Sequence, residues 1–318
     1  VAGGQIVPAV DLGGTFAKGA LVATDGRLLW RERISTEASA GYEDVNQRVA
    51  NLLKRLMERA KAEHGWEKGP LGLAVPGLVN DVTGTAVFSA NLGWRNLPLA
   101  KQLSQQLDAN VILSHDVTAG GVAEARLGAG RGASTVLVVP IGTGIAGALV
   151  MDGKPYRGAH FAAMELGHLP TAVSEDPCGC GGVGCLERVA SAAAVARRYA
   201  DLAGVDGKDI DAKYVQELAE QGNSQARLVW DQARFALAEA LATAALLADP
   251  DRIVIGGGLS YAGHGLIGPI QERVNQRVKL HQPPEVVLAQ LGSWAGVIGA
   301  ALLASDSMAD AVPSVDRL

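Results

Sequence analysis

Asp11-Leu12-Gly13-Gly14-Thr15 stands between two short apolar runs, Ile6 to Val10 and Gly19 to Ala23. A run too short for a helix, closed by two glycines and resumed at once, reads as strand, tight turn, strand. Asp25-Gly26 is a second turn before Arg27 to Arg33, so the chain opens on a three-stranded meander. The same pattern returns further on. Ser134 to Pro140 is a strand, Ile141-Gly142-Thr143-Gly144 a turn, and Ile145 to Met151 another strand. A glycine/threonine turn between strands, met twice, is an internal repeat and predicts two similar halves.

Between and after these hairpins, strands alternate with helices. Tyr42 to His64 carries Val45, Val49, Leu52, Leu53 and Leu56 at helical spacing. Leu71 to Val75 is a buried strand closed by Pro76-Gly77, and Leu99 to Leu107 is a helix. Val111 to Leu113 is a strand that delivers His115 and Asp116 at its carboxyl end, ahead of a helix over Val117 to Leu127. Residues 186–200 and 211–248 are alanine-rich and helical. Arg252 to Ile255 is a strand running into Gly256-Gly257-Gly258; a helix over Ile267 to Lys279, a strand over Glu285 to Leu288 and a helix over Ala295 to Leu303 follow. This alternation predicts an α/β fold with its site in a crevice at strand ends, between two lobes.

Composition narrows the function. The 318 residues are 48% hydrophobic, 19% charged and only 4% aromatic, with 40 glycines, so the core rests on Ala, Val, Leu and Ile. A net charge of −5 without a basic patch argues against a nucleic-acid partner. The apolar stretch Phe235 to Ala248 is too short to span a bilayer, and the first ten residues do not read as a signal peptide. The three cysteines all fall between Cys178 and Cys185, which points to a metal in a reducing compartment, and so to the cytoplasm. There is no Walker lysine motif and no dinucleotide fingerprint opening a helix.

The glycine turns have a chemistry. Asp11 sets a carboxylate at a strand end, where it can hold Mg²⁺ directly or through water. Backbone N–H groups of Gly13 and Gly14 and the Thr15 hydroxyl can donate to phosphate oxygens, and Gly142, Thr143 and Gly144 offer the same from the second half. Gly256 and Gly257 can let a base or ribose lie against the backbone. The plain alternative is that each is only a tight hairpin turn. His168, Cys178, Cys180 and Cys185 form a Cys₃His set, a common tetrahedral zinc site that is closed by four protein ligands and therefore structural. The plain alternative there is three free cysteines. A histidine bound to zinc through one ring nitrogen can still donate from the other to a substrate oxygen.

Cys178-Gly179-Cys180-Gly181-Gly182-Val183-Gly184-Cys185-Leu186-Glu187, preceded by Glu165-Leu166-Gly167-His168, resembles the ROK family of bacterial sugar kinases and regulators, which includes many glucokinases. Val75-Pro76-Gly77, Asn91-Leu92-Gly93-Trp94 and Gly128-Ala129-Gly130-Arg131-Gly132 add to the likeness. The resemblance implies a two-lobed actin/hexokinase-like (ribonuclease H-like) ATPase fold with an inter-lobe cleft. It implies lobes at 1–117, completed by a helix at about 295–305, and at 118–294, which carries the zinc motif, with a flexible tail at 306–318. By position, Asp116 becomes the catalytic base. Gly77, Asn91, Glu165, His168 and Glu187 join it at the sugar, and Lys18 joins Asp11 and the glycine turns at ATP and Mg²⁺. The implied reaction is phosphorylation of a hexose, at the 6-OH of glucose or a relative, by a homodimer or homotetramer. An aminosugar, N-acetylhexosamine or cyclitol acceptor, or a non-catalytic sugar-sensing regulator without its DNA-binding domain, is the alternative. Two departures bear on the site. His115-Asp116-Val117-Thr118 stands where the family has Asn-Asp-Ala-Asn, and His115 is expected to pack rather than to tune the base. Phe161-Ala162-Ala163-Met164-Glu165 replaces a loop that usually carries glycines, so the pocket wall or the loop path is expected to differ.

Overall fold

The computed structural model describes residues 5–309. Their contacts group into two compact units. One takes the chain up to Ala123, Arg157–Ala162 and everything from Ser293; the other takes Glu124–Tyr156 and Ala163–Gly292.

In the first unit, β1 (Ile6–Leu12), β2 (Phe16–Ala23) and β3 (Leu28–Ser35) form the expected antiparallel meander. After α1 (Tyr42–His64) the chain adds β4 (Leu71–Val75) parallel to β1, and after α2 (Leu99–Leu107) it adds β8 (Val111–His115) parallel to β4. The sheet order is β3-β2-β1-β4-β8. A separate small sheet of β5 (Leu78–Asn80), β6 (Thr85–Ser89) and β7 (Trp94–Leu97) intervenes. Its strands are too short and too mixed in polarity for a period-2 reading. The helix α1 buries Val45, Val49, Leu52, Leu53 and Leu56 against β1 and β2, as its spacing predicts. The helix α3 (Asp116–Leu127) starts one residue before its expected position, with Asp116 as its first residue. The last helix, α9 (Ala295–Ala309), lies on β1 and β4. It runs past the expected end near 305, so residues 306–309 are helix rather than flexible tail; residues 310–318 lie outside the described residues.

The second unit repeats this topology. The strands β9 (Thr135–Pro140), β10 (Ala148–Met151) and β11 (Lys154–Pro155) form an antiparallel meander, and β12 (Arg252–Gly256) and β13 (Glu285–Leu288) add in parallel. The order β11-β10-β9-β12-β13 matches the first sheet position for position. The repeat glimpsed in two turns is thus a repeat of whole sheets. The strand expected from Ile145 begins at Ala148, because Ile145 makes only an isolated bridge to Ile141. The helical stretch at 186–200 is broken at Ser191 into α4 (Leu186–Ala190) and α5 (Ala192–Ala203), with the Ser191 hydroxyl capping α5 at Ala194 N. The stretch at 211–248 is broken at Gly222, where φ is 92°, into α6 (Ala212–Glu220) and α7 (Ser224–Ala248). The helix α8 (His264–Arg277) completes the unit. Alanines 233, 236, 240 and 244 on α7 are buried with Leu237 and Leu241, so small side chains let a 25-residue helix lie close to its neighbours.

Candidate active site

Parallel strands bring their carboxyl ends to one edge of a sheet. In the first unit that edge gathers Asp11 from β1, Gly77 just after β4 and Asp116 just after β8. The turn after β1 is held from behind. Gly13 N–H donates to Phe16 O at 2.9 Å, while Thr36 donates its hydroxyl to Gly13 O at 2.7 Å and its N–H to Thr15 O at 2.9 Å. Thr36 is buried and was missed from sequence, where a lone threonine after a strand gives no signal. The Thr15 hydroxyl is exposed and makes no hydrogen bond among the described residues, which leaves it free for a ligand. Asn91 is exposed beside Gly14, and Gly77 takes a φ of 102° with its α-carbon pressed on the backbone of Phe88 and Ser89.

Asp11 is nearly buried, and desolvation raises its pKa to about 6. Lys18, directly opposite on β2, works the other way: its Nζ lies 3.4 Å from Asp11 Oδ2 and also donates to Ser293 O at 2.7 Å. The charge of Asp116 pushes Asp11 up again, so the two carboxylates sense each other. Such a site suits a divalent cation, which would relieve both desolvation and repulsion. His115 does not simply pack, as expected. Its Nε2 lies 3.0 Å from Asp116 Oδ1 and its Nδ1 3.3 Å from Thr118 Oγ1.

The second unit gathers its own set by the same rule. The turn after β9 meets the residues after β12. Ile141 N–H donates to Gly256 O at 2.9 Å, Leu259 N–H donates to Ile141 O at 3.0 Å, and Gly257 takes a φ of 78°. A β-carbon on Gly257 would collide with the backbone of Ile141, so only glycine permits this approach. The helix α4 and the residues after it clamp the turn from the far side. Glu187 Oε2 accepts from Ile145 N–H at 2.9 Å, and Ala192 N–H donates to Gly142 O at 2.8 Å. The Glu187 carboxylate occupies the space a side chain on Gly144 would need. Thr143, like Thr15, exposes a hydroxyl with no hydrogen bond among the described residues.

His168, Cys178, Cys180 and Cys185 come together, with their ligand atoms all within 4.8 Å of one another. Cys180 Sγ lies 3.7 Å from Cys185 Sγ, and Cys178 Sγ 3.7 Å from His168 Nδ1. Ligands at about 2.3 Å from a tetrahedral zinc stand about 3.8 Å apart, so these two separations are compatible with a zinc site. Burial pushes the Cys185 thiol up to about 12, whereas the Gly182 N–H at 3.4 Å pulls Cys180 down. Pro170 bridges Cys185 and Leu186 N–H donates to Leu169 O at 2.8 Å, tying the histidine segment to the start of α4. With Nδ1 turned to the sulfurs, His168 Nε2 faces Glu165, 3.9 Å from its Oε2. Phe161 and Met164 sit at φ 58° and 64°, in the left-handed region where glycine is at ease. The backbone turns expected of glycine are therefore made here by bulky residues.

Sequence reasoning also missed Glu124. Its buried carboxylate accepts from Ala129 N–H at 3.0 Å, Gln290 N–H at 3.0 and 3.1 Å and Leu291 N–H at 2.7 Å. It packs directly on Gly128, leaving no room for a side chain there, while Gly130 lies against Ala125 and Val136 and Gly132 takes a φ of 88°.

Two sheets of one topology, each ending in a glycine/threonine turn, define the actin/hexokinase type of phosphotransferase fold. The sequence profile of the ROK family matches residues 7–307, and the chain belongs to that family. It is 34% identical over 307 residues to a glucokinase of Thermotoga maritima, covering 92% of this chain and 95% of that one. Among solved structures it is similar to a ROK hexokinase from Thermus thermophilus, with TM-score 0.85 and 30% identity over 96% of this chain and all of that one. It is also similar to a ROK family glucokinase from Streptomyces griseus in complex with glucose and AMPPNP, with TM-score 0.79 and 28% identity over 95% of this chain and all of that one. No helix among the described residues is long and apolar enough to cross a membrane.

Proposed function

We propose that this protein transfers the γ-phosphoryl group of ATP to a hydroxyl of glucose or a closely related hexose, the 6-OH by family analogy. The observation that carries the reading is the pair of glycine/threonine turns on equivalent strand ends, with Asp116 on the same sheet edge as Asp11. Membership of a family with glucokinases supports the choice of sugar.

Asp116 accepts a hydrogen bond from the reacting hydroxyl and orients its oxygen in line with the leaving ADP. In a loose transition state the carboxylate mainly positions the nucleophile and takes the proton late. As the new O–P bond forms, the bond from the γ-phosphorus to the bridging oxygen breaks and leaves its electron pair on ADP, while the hydroxyl proton passes to the Asp116 carboxylate. Backbone N–H groups of Gly14 in one unit and Gly144 in the other, with the Thr15 and Thr143 hydroxyls, offer donors to phosphate oxygens; the N–H groups expected of Gly13 and Gly142 are instead given to Phe16 O and Gly144 O at 2.9 Å each. Lys18 keeps Asp11 ionised and fixed. A Mg²⁺ ion at Asp11 would supply charge neutralisation on those oxygens. Asn91, Glu165, His168 and Glu187 offer an amide, carboxylates and an imidazole, a set that matches hydroxyls that both donate and accept. Exposed Gly257, with buried Gly256 behind it, would flank the nucleoside. The Cys₃His set would hold a structural zinc and so fix His168 through Nδ1, leaving Nε2, beside Glu165, for a sugar hydroxyl. We place the enzyme in the cytoplasm as a homodimer or homotetramer.

The test is a phosphorylation screen with Mg·ATP across glucose, mannose, glucosamine, N-acetylglucosamine, N-acetylmannosamine, fructose and cyclitols. Glucose is expected to be the best acceptor, and Asp116→Asn to lose turnover while still binding the sugar. Near-native turnover in that variant overturns the base assignment. An aminosugar as sole acceptor overturns the choice of sugar.

A further inference from the structure

His115 is the last residue of β8, and Asp116 opens α3, so the two sit on a strand-to-helix elbow. The rigid partners on either side matter. His115 is paired in register with Val75 of β4, and Thr118 lies in the first turn of the helix. The imidazole bridges them, with Nδ1 at 3.3 Å from the Thr118 hydroxyl and Nε2 at 3.0 Å from Asp116 Oδ1. A carboxylate only accepts, so Nε2 carries the proton, and in the neutral ring Nδ1 then accepts from the Thr118 hydroxyl. The same Oδ1 accepts a second hydrogen bond, from Val117 N–H at 2.7 Å.

We propose that His115, braced by Thr118, is a positioning residue that holds Oδ1 of Asp116 so that Oδ2 is presented to the reacting hydroxyl. The inference rests on the reading of Asp116 as the base. The physical argument is one of rotamers. An aspartate side chain at a helix start has several staggered settings, and only one aims a given oxygen at the substrate. Two donors on one oxygen select that setting before substrate arrives. They also spend the lone pairs of Oδ1, so the hydroxyl meets Oδ2. Positioning of this kind acts on the chemical step, and a misplacement near 1 Å costs up to about 100-fold in rate. On this inference the ring acts through Asp116 rather than on the sugar, so affinity for the sugar is expected to stay near its native value.

The experiment compares His115→Ala, His115→Gln, Thr118→Val and Asp116→Asn in the full chain, by initial rates with glucose and Mg·ATP. His115→Ala is expected to lower kcat about tenfold with glucose KM within about twofold. Glutamine places an amide Nε2–H close to where the imidazole has its own, so His115→Gln recovers most of the lost rate. Thr118→Val keeps shape and fold but removes the brace, and is expected to lower kcat by about threefold, with Thr118→Ser restoring it. Native kcat in His115→Ala, or glutamine no better than alanine, overturns the proposal. If His115→Ala does not fold, the Thr118 pair decides: unchanged kcat in Thr118→Val overturns it. An active Asp116→Asn instead removes the base reading itself. A dead Asp116→Asn beside a native His115→Ala leaves that reading standing and removes only this inference.

Discussion

Replacing Asp11 with asparagine is expected to stabilise the free protein at pH 8 while abolishing its use of Mg·ATP. The Asp11 carboxyl is raised from 3.8 to about 6, chiefly by desolvation, and its side chain is only 14% exposed. About two pKa steps at about 1.4 kcal/mol each make ~3 kcal/mol. The sign follows from proton binding. Between pH 3.8 and 6 the folded state holds a proton that the unfolded state has lost, so acid favours the fold. The favourable contribution is complete below the unfolded value and is gone once pH rises through about 6, where the buried charge weighs on the fold in full. Asparagine carries no charge at any pH, so the variant escapes that burden but leaves Lys18 with Ser293 O alone. A net gain of about 1 to 3 kcal/mol at pH 8 is expected, shrinking as pH falls through 6. Urea denaturation followed by tryptophan fluorescence measures it, since Trp30, Trp66, Trp94 and Trp294 lie in the same unit as Asp11. In the wild type, kcat/KM for Mg·ATP should fall on the acid side of about 6, because this ratio reports the free enzyme. A variant no more stable than wild type at pH 8, or an advantage that persists unchanged at pH 5, would refute the reasoning.

Two further outcomes test the rest of the molecule. Cys180 is exposed, so Cys180→Ser should be neutral without a metal, yet a structural zinc would lose a ligand. We expect about one zinc per chain by elemental analysis and a fall in Tm of about 5 °C in the variant; a metal-free protein with an unchanged melt would remove the zinc. Glu124→Ala should cost about 3–6 kcal/mol, because it leaves the N–H groups of Ala129, Gln290 and Leu291 without their acceptor. Loss of less than 1 kcal/mol by urea denaturation would show that water replaces the carboxylate there.

Much of the molecule was legible from local pattern. The meander, α1, α2, β4 and β13 follow from the period of apolar residues and from glycine punctuation, which act over a few residues. The Cys₃His set was legible because closely spaced cysteines with a nearby histidine form a pattern that few other sequences imitate. The breaks at Ser191 and Gly222 were harder, since an alanine-rich stretch is apolar all round and its period hides the caps.

Other features exist only because distant segments meet. Glu124 reads as one more helix charge until residues 290 and 291 bring their N–H groups to it. Glu187 shows a second tie, from the Ile145 N–H to its carboxylate, only once residues 145 and 187 meet. Phe161 and Met164 read as a changed loop, and both hold a left-handed backbone that ordinarily favours glycine, since surrounding contacts can override a residue's own preference. His115 read as packing, because a sequence says which residues adjoin but not which way a ring nitrogen points across a strand-to-helix elbow. The sequence by itself determined most of the strands and helices, the glycine turns and the Cys₃His set, whose causes are local. Tertiary structure decided the matching sheet topologies, the buried acceptors and the grip on Asp116, because hydrogen bonds between distant segments have no period to read.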